Sequence, residues 1–393
     1  MKVLVVAPHP FFTPRGTPFS VYYRTMVFGE QGADIDLLTY GRGRDVQLPR
    51  TRIVRIPQIP GMGDIPVGPS WKKMVLDVFM VFWTIGLLVR NRYDVVHAHE
   101  ESVFWCRFLK PLFRFRLIYD MHSSLPQQLT NFKFTKSRLL IGTFHSLEAS
   151  CLRAADAVIT ICPDLRDYAL QSGVPPDRHF LIENSIFEDV NVDAKASASA
   201  TAGDAAALQP PDSSGAGSLF LYAGTFEAYQ GVDLLIRAFV EVKRKVPAAR
   251  LVLLGGNPRQ VADARRLAES IGSAAEFGGQ VPKSVVSRWT AAADVLLSPR
   301  IHGTNTPLKI YEQLASGKPL VATRIWSHTQ VLTEEACILV DVSPESIAAG
   351  MLLALEDRAT AMRRAEKARA LYEREYSRPV YEGKVRQLLK RIA

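Results

Sequence analysis

Cysteine is scarce in this chain, with four in 393 residues, at positions 106, 151, 162 and 337. They are scattered, with no CxxC pair and no companion histidine cluster, which argues against a disulfide framework or a structural zinc site and fits a reducing compartment. A bilayer-spanning run of roughly 20 apolar residues is also missing. The most apolar stretch, Met74 to Val89, is shorter and contains Asp77. The run Val3–Ala7 is too short for the core of a signal peptide and meets Pro8-His9-Pro10 at once. Neither glycine-rich loop reads GxGxxG followed by an acid about 20 residues on, which excludes a nicotinamide-dependent oxidoreductase. Apart from Asp34-Ile-Asp36, inside an expected strand, no paired carboxylates suggest a cation site, so no metal is expected. No RNP-like aromatic signature, zinc finger or basic zipper occurs, so nucleic acid is not an expected partner.

What is present is globular composition: 47% hydrophobic and 22% charged residues, enough for a core in each of two domains. The net charge of +9 calls for an anionic partner or surface.

Short apolar runs alternate with helical stretches. Strands are expected at Lys2–Val6, Ile35–Thr39, Ile53–Ile56, Asp94–Ala98, Leu117–Asp120 and Ala157–Ile161, with helices over about Ser20–Gln31 and Leu139–Ala154. This alternation implies a parallel sheet with helices on both faces. Residues 189–218 are Ala/Ser/Gly/Pro-rich without apolar periodicity and read as a disordered linker. The alternation then restarts with strands at Leu219–Ala223, Arg250–Leu254, Ala275–Phe277, Val295–Ser298, Pro319–Thr323 and Cys337–Val340. The chain thus divides into an N-terminal Rossmann-like domain (1–188), the linker, a C-terminal Rossmann-like domain (219–372) and a final helix (373–393) expected to pack back on the first domain. Two such units make an interdomain cleft the expected ligand site. The charged helical region Pro344–Ile392 is expected to break or kink near Pro379.

Two segments suit a membrane surface. Met74–Val89 is flanked by Lys72, Lys73, Arg90 and Arg92, and reads either as a buried helix or as one lying at a headgroup layer. Phe104 to Arg116 interleaves Arg107, Lys110, Arg114 and Arg116 with aromatics and contains no acid, a pattern suited to anionic lipid. Peripheral contact with an anionic membrane is the favoured reading.

The segment from Ser298 to Thr323 carries the chemistry. A strand ends in a turn of small and polar residues, Arg300, His302, Gly303, Thr304, Asn305 and Thr306. A helix is expected to start there, with Thr306 as N-cap and Pro307 at its first position, followed by Leu308. Free amides at such a start suit a diphosphate. Lys309 adds a cation one turn in, and Glu312 on the same face is a carboxylate able to accept two ribose hydroxyls. An anion cradle followed by a diol acceptor is what a nucleoside diphosphate needs.

This segment resembles the nucleotide-sugar site of the retaining family-4 glycosyltransferases, of GT-B fold, in which a strand-to-helix turn precedes Glu, an Ala/Gly pair and G-K-P-(hydrophobic)2-A-T. The resemblance extends to His97-Ala98-His99, Ala155-Asp156-Ala157, Glu183-Asn184, Gly224, Gly231-Val232-Asp233 and Leu253-Leu254-Gly255. It implies transfer of a hexose-type sugar from a nucleoside-diphosphate sugar, with retention and without a metal, onto a glycan or lipid-linked acceptor. It places the protein in the cytoplasm, at the inner face of the plasma membrane, in cell-envelope polysaccharide synthesis. It implies that Glu312 holds the ribose, that Gly16 and Thr17 line the side opposite the phosphates, and that His122 lies near the transferred sugar. Gly224, Thr225, Gln230 and Gly255 fall in its donor loops. Catalytic roles then go to His122, Lys309 and Arg300, with no further cofactor. The chain departs from the family at Thr304, where it usually has a glutamate, and at Thr225 and Gln230, where it usually has Arg and Lys. Arg300, Lys309 and Arg15 are the cations available to replace them. These departures leave two alternatives: a catalytically inactive glycosyltransferase-like binding subunit, and a GT-B sugar-nucleotide epimerase.

Overall fold

The computed structural model describes residues 1–12, 16–59, 70–124, 138–184, 187 and 218–393. Arg15 and all but Ser218 of the linker expected over 189–218 lie outside these residues. The chain forms two compact units, Met1–Ser185 with Arg378–Ala393, and Ile186–Ser377.

In the first unit, seven parallel strands are ordered β3-β2-β1-β4-β5-β6-β7. They are β1 (Lys2–Ala7), β2 (Asp34–Thr39), β3 (Thr51–Arg55), β4 (Val95–His99), β5 (Arg116–Met121), β6 (Ala157–Thr160) and β7 (His179–Leu181). The central strands read as unbroken apolar runs because helices cover both sheet faces; Val3 to Ala7 are all buried. The helices are α1 (Gly16–Glu30), α2 (Trp71–Arg90), α3 (Ser102–Phe113), α4 (Arg138–Ala154) and α5 (Pro163–Gln171). Strand order reverses between β1 and β4, so the carboxyl ends of β1, β4 and β5 surround a topological switch point. β7 was not expected from the sequence, because its three half-buried edge residues leave no apolar run.

The second unit holds six parallel strands in the order β10-β9-β8-β11-β12-β13. These are β8 (Leu219–Ala223), β9 (Arg250–Leu254), β10 (Glu276–Gly279), β11 (Val295–Ser298), β12 (Leu320–Thr323) and β13 (Ile338–Val340). Around them lie α6 (Val232–Lys245), α7 (Pro258–Ser270), α8 (Lys283–Ala292), α9 (Leu308–Ala315), α10 (Trp326–Thr329), α11 (Pro344–Glu356) and α12 (Arg358–Glu375). Asn257 and Gln260 close a reciprocal capping box at the start of α7, two orphan amides satisfied by two side chains. One apolar core lies on each face of the sheet, around Phe239 and Met351 on one and around Trp289 and Leu314 on the other.

The last helix, α13 (Arg378–Ile392), belongs to the first unit. Tyr381, Val385, Leu388 and Ile392 are buried there. Arg378 pairs with Glu30 at 3.0 Å, Lys384 with Glu183 at 2.6 Å and Arg391 with Asp177 at 3.1 Å. The expected interruption near Pro379 falls at Tyr376-Ser377: α12 ends at Glu375 and α13 starts at Arg378, with Pro379 in its first turn, where its missing N–H has no partner to lose. A second interruption, not expected, falls at Asp357, which caps α12.

One buried ion pair ties this unit together. Arg24, on α1, is wholly buried; its Nε lies 2.9 Å from Asp120 Oδ2 on β5, and its Nη2 donates to the Ile182 carbonyl at 2.9 Å. Removing one partner of such a pair leaves an uncompensated buried charge. Asp120→Ala should therefore destabilise the first unit by about 3–5 kcal/mol, and Arg24→Met in the same chain should restore most of that loss. Hydrogen exchange in β5 under mild denaturant measures both. Equal protection in wild type and Asp120→Ala rules the pair out as a structural tie.

Candidate functional site

The loop between β11 and α9 is the candidate site of the second unit. Arg300 folds back along it: Nε donates to the His302 carbonyl at 2.8 Å and Nη1 to the Asn305 carbonyl at 3.2 Å. The turn requires glycine at 303, where φ is +142° and a Cβ would lie 2.2 Å from the guanidinium. The same guanidinium stands 5.1 Å from the Tyr229 ring centre. Lys309 Nζ lies 4.3 Å from the centre of the Tyr222 ring and donates to Gln230 Oε1 at 3.2 Å. Gly224 adjoins it, a Cβ there coming within 3.6 Å of Nζ. Gly255, at φ +116°, lets β9 turn against Gly224, whose carbonyl a Cβ would strike at 1.8 Å.

Two cations, one in the turn and one at the start of α9, therefore adjoin, and among the described residues neither forms an ion pair. Burial, and then the charge of Arg300, pull the Lys309 ammonium down to about 7. Burial likewise lowers Arg300. Desolvated cations facing aromatic rings and amide oxygens lack only an anion.

The structure brings together Gly224, Gln230, Gly255, Arg300, Gly303 and Lys309, with the Thr225 carbonyl accepting from Tyr222 Oη at 2.6 Å. His302 is exposed, its ring 6.1 Å from that of Tyr229. The carbonyl of Thr304 accepts from Gln330 Nε2. One expectation is corrected: α9 begins at Leu308, with Pro307 rather than Thr306 as its N-cap and no side-chain cap. Proline at the cap position has no N–H and Thr306 Oγ1 is buried without a hydrogen-bond partner among the described residues, so the helix start keeps its amides uncapped. Glu312 is half-buried and pairs with Lys283 on α8 at 3.2 Å. Sequence reasoning missed Lys283, Tyr222, Tyr229 and Gln330, which lie in other elements and share no spacing with the loop.

In the first unit, His122 follows β5 and sits in a buried network. Asp120 Oδ2 receives His97 Nε2 at 3.0 Å and His99 Nδ1 at 3.4 Å, while Oδ1 lies 3.3 Å from His122 Nε2. His99 Nδ1 and His122 Nε2 are 3.1 Å apart. Burial raises the cost of ionising Asp120, but Arg24 and then the three histidines overrule it and hold the carboxyl well below its usual range. Burial also lowers His122 to about 4, against the pull of Asp120, so the ring is neutral at pH 7. Among the described residues, His97, His99 and Asp120 are the one group with metal-ligand spacing. Arg24 already rests on the same carboxylate oxygen, and a divalent ion would sit against its charge. Gly16 opens α1, and Thr17 Oγ1 donates to Glu100 Oε1 at 3.4 Å. Glu100, unremarked in the sequence, has φ +50° and a carboxyl raised to about 7 by burial and by Glu101.

Comparison with known proteins follows the same division. Residues 217–357 match the family model "Glycosyl transferases group 1", and residues 26–185 match "Glycosyl transferase 4-like domain". A phosphatidyl-myo-inositol mannosyltransferase of Propionibacterium freudenreichii is 23% identical over 85% of this chain and 80% of its own length. One of Mycobacterium tuberculosis is 22% identical over 90% of this chain and 85% of its own. Among solved structures, Anabaena HepE in complex with UDP superposes with a TM-score of 0.72 at 15% identity, covering 99% of this chain and all of the other (100%). The chain belongs to the group 1 glycosyltransferases of GT-B fold, a glycosyl transferase 4-like domain forming its first unit and a group 1 domain its second.

Proposed function

We propose that this glycosyltransferase moves a hexose from a nucleoside-diphosphate sugar to a lipid-linked acceptor, with retention at the anomeric carbon and without a divalent metal. The observation that carries the reading is the pair of desolvated cations, Arg300 and Lys309, beside an uncapped helix start. Lys309 meets Gln230, one of the positions where the family usually keeps a cation, so its ammonium supplies charge at that point from the neighbouring helix. In the proposed step the bond from anomeric carbon to phosphate oxygen breaks, and the acceptor oxygen bonds to the same face. The acceptor's proton passes to the departing diphosphate, whose charge Arg300, Lys309 and the helix amides stabilise. Glu312, steadied by Lys283, is placed to accept the ribose hydroxyls. His122 stays neutral and so suits hydrogen bonding to a sugar hydroxyl rather than charge pairing. The lipid-linked acceptor rests on the curated relatives, named for transfer to phosphatidyl-myo-inositol.

A membrane-facing surface supports that acceptor class. No helix among the described residues is long and apolar enough to cross a membrane. α2 buries Leu76, Met80, Leu87 and Leu88, yet exposes a second apolar stripe: Trp71 (66%), Met74, Val78, Phe82 (64%) and Val89. Phe108 and Leu112 (73%) are exposed on α3, the helix that also carries Arg107 and Lys110. Exposed apolar patches with basic neighbours mark interaction surfaces. Contact with an anionic membrane at the cytoplasmic face follows as part of this proposal.

Three outcomes test it. Lys309→Ala should cut donor turnover by about 100-fold, the scale of losing one charged contact to the leaving group; donor consumption near the wild-type rate in a coupled nucleotide-release assay sinks the assignment. The ammonium of Lys309 releases its proton near pH 7 in the free protein, so donor affinity should fall as pH rises through 7. Over the same window the unliganded protein should gain stability, because the unfolded lysine holds its proton to higher pH. Calorimetry of nucleotide binding from pH 6 to 8 reads the first trend, and Lys309→Arg should flatten it. Finally, Trp71→Ser with Phe82→Ser should abolish flotation with phosphatidylglycerol-containing vesicles while leaving soluble-donor binding intact; unchanged flotation refutes the docking face.

A further inference from the structure

The short helix α10 contributes no charge to the donor loop, yet the segment 326–330 grips that loop at two places. His328 is wholly buried. Its Nδ1 lies 2.8 Å from the Thr323 carbonyl, which can only accept, so Nδ1 carries the hydrogen. Nε2 is then the acceptor and takes the Ser298 hydroxyl at 3.0 Å. The Thr323 hydroxyl donates in turn to the carbonyl of Arg300. Further along, Gln330 Nε2 donates to the Thr304 carbonyl at 2.5 Å. Between these two grips the Arg300 side chain closes the turn by donating to His302 and Asn305. The loop is thus held at its stem by His328 together with Thr323 and at its tip by Gln330.

We infer that His328 and Gln330 are positioning residues for the donor: His328 through Ser298 and through Thr323, whose hydroxyl holds the Arg300 carbonyl, and Gln330 through the Thr304 carbonyl, they hold the loop in the shape that presents Arg300 and the start of α9 to a diphosphate. This role rests on the donor site proposed above. Histidine suits the task because a neutral imidazole donates on one side and accepts on the other. Burial, joined by the charges of Lys309 and Arg300 and opposed by the bond to the Thr323 carbonyl, lowers its pKa to about 4, so the bonding pattern persists where those two cations are charged. A lysine or arginine at 328 would add a third positive charge and lose the acceptor.

Each variant changes one hydrogen bond. Gln330→Glu replaces the donor facing the Thr304 carbonyl with an acceptor. His328→Asn keeps a donor toward Thr323 and removes the acceptor for Ser298. Each should raise the dissociation constant for UDP or GDP, and the donor KM, by about tenfold, the scale of one hydrogen bond. The acceptor KM should not move, and kcat should change less than donor KM. Amides of residues 300–305 should exchange faster in both variants while β8 and β9 keep their protection. Unchanged exchange overturns the clamp. Faster exchange with unchanged nucleotide affinity overturns its role in donor binding. A wild-type protein that binds neither nucleotide removes the donor site itself, and the exchange measurement still reports whether the clamp exists.

Discussion

Two half-buried positive charges, Arg300 in the turn and Lys309 at the start of α9, with no carboxylate paired to them among the described residues, set the character of the second unit. The protein spends stability to keep Arg300 and Lys309 desolvated, and uses aromatic faces, carbonyls and one amide side chain in place of an acid. An acid there would offset both charges and, in the proposed function, would take the place of the departing diphosphate. The surrounding choices follow from this. Gly303 and Gly224 leave room for the two side chains, Gly255 lets the neighbouring strand end pass close by, and Pro307 declines to cap the helix that points at them.

The first unit solves the opposite problem. There a buried carboxylate, Asp120, is surrounded by polar groups from three parts of the chain: Arg24 from α1, His97 and His99 from β4, and His122 from beyond β5. Within the unit the charge of Asp120 is matched by that of Arg24. Its place at the carboxyl ends of the central strands, where the order of the sheet reverses, puts His122 and Glu100 where open α/β sheets present their chemistry. One unit is thus poised with charge in excess, and the other with charge already cancelled.

The sheets were legible in the sequence because parallel strands covered on both faces must be continuous apolar runs. Leu219–Ala223, Arg250–Leu254 and Val295–Ser298 coincide with their expected bounds for that reason. β7 was invisible, since a three-residue edge strand buries little. The donor loop was legible as a set of types, small residues, then Lys309 and Glu312, but its geometry was not. Thr306-Pro307 fits a cap followed by a first helical residue, and only the three-dimensional course of the chain shifts the start to Leu308. Partners contributed by distant elements escaped altogether. Lys283 lies 29 positions from Glu312 and His328 30 from Ser298, separations at which periodicity carries no signal. The second apolar stripe of α2 escaped too, because a helix rich in leucine, valine and phenylalanine reads alike whether one face or two are covered.

The last helix gives the molecule an order of assembly. Because α13 completes a unit whose other residues end at Ser185, that unit remains unfinished on the ribosome until α13 has emerged. The second unit has no such debt and can close as soon as Ser377 is made. The contact between Arg378 and Glu30 spans 348 positions, a loop closure that comes late and slowly relative to the local pairings around it. Newborn protein would then pass through a stage in which one half is native and the other still waits for Tyr381, Val385, Leu388 and Ile392 to be buried. Chaperone occupancy should concentrate on that half during synthesis.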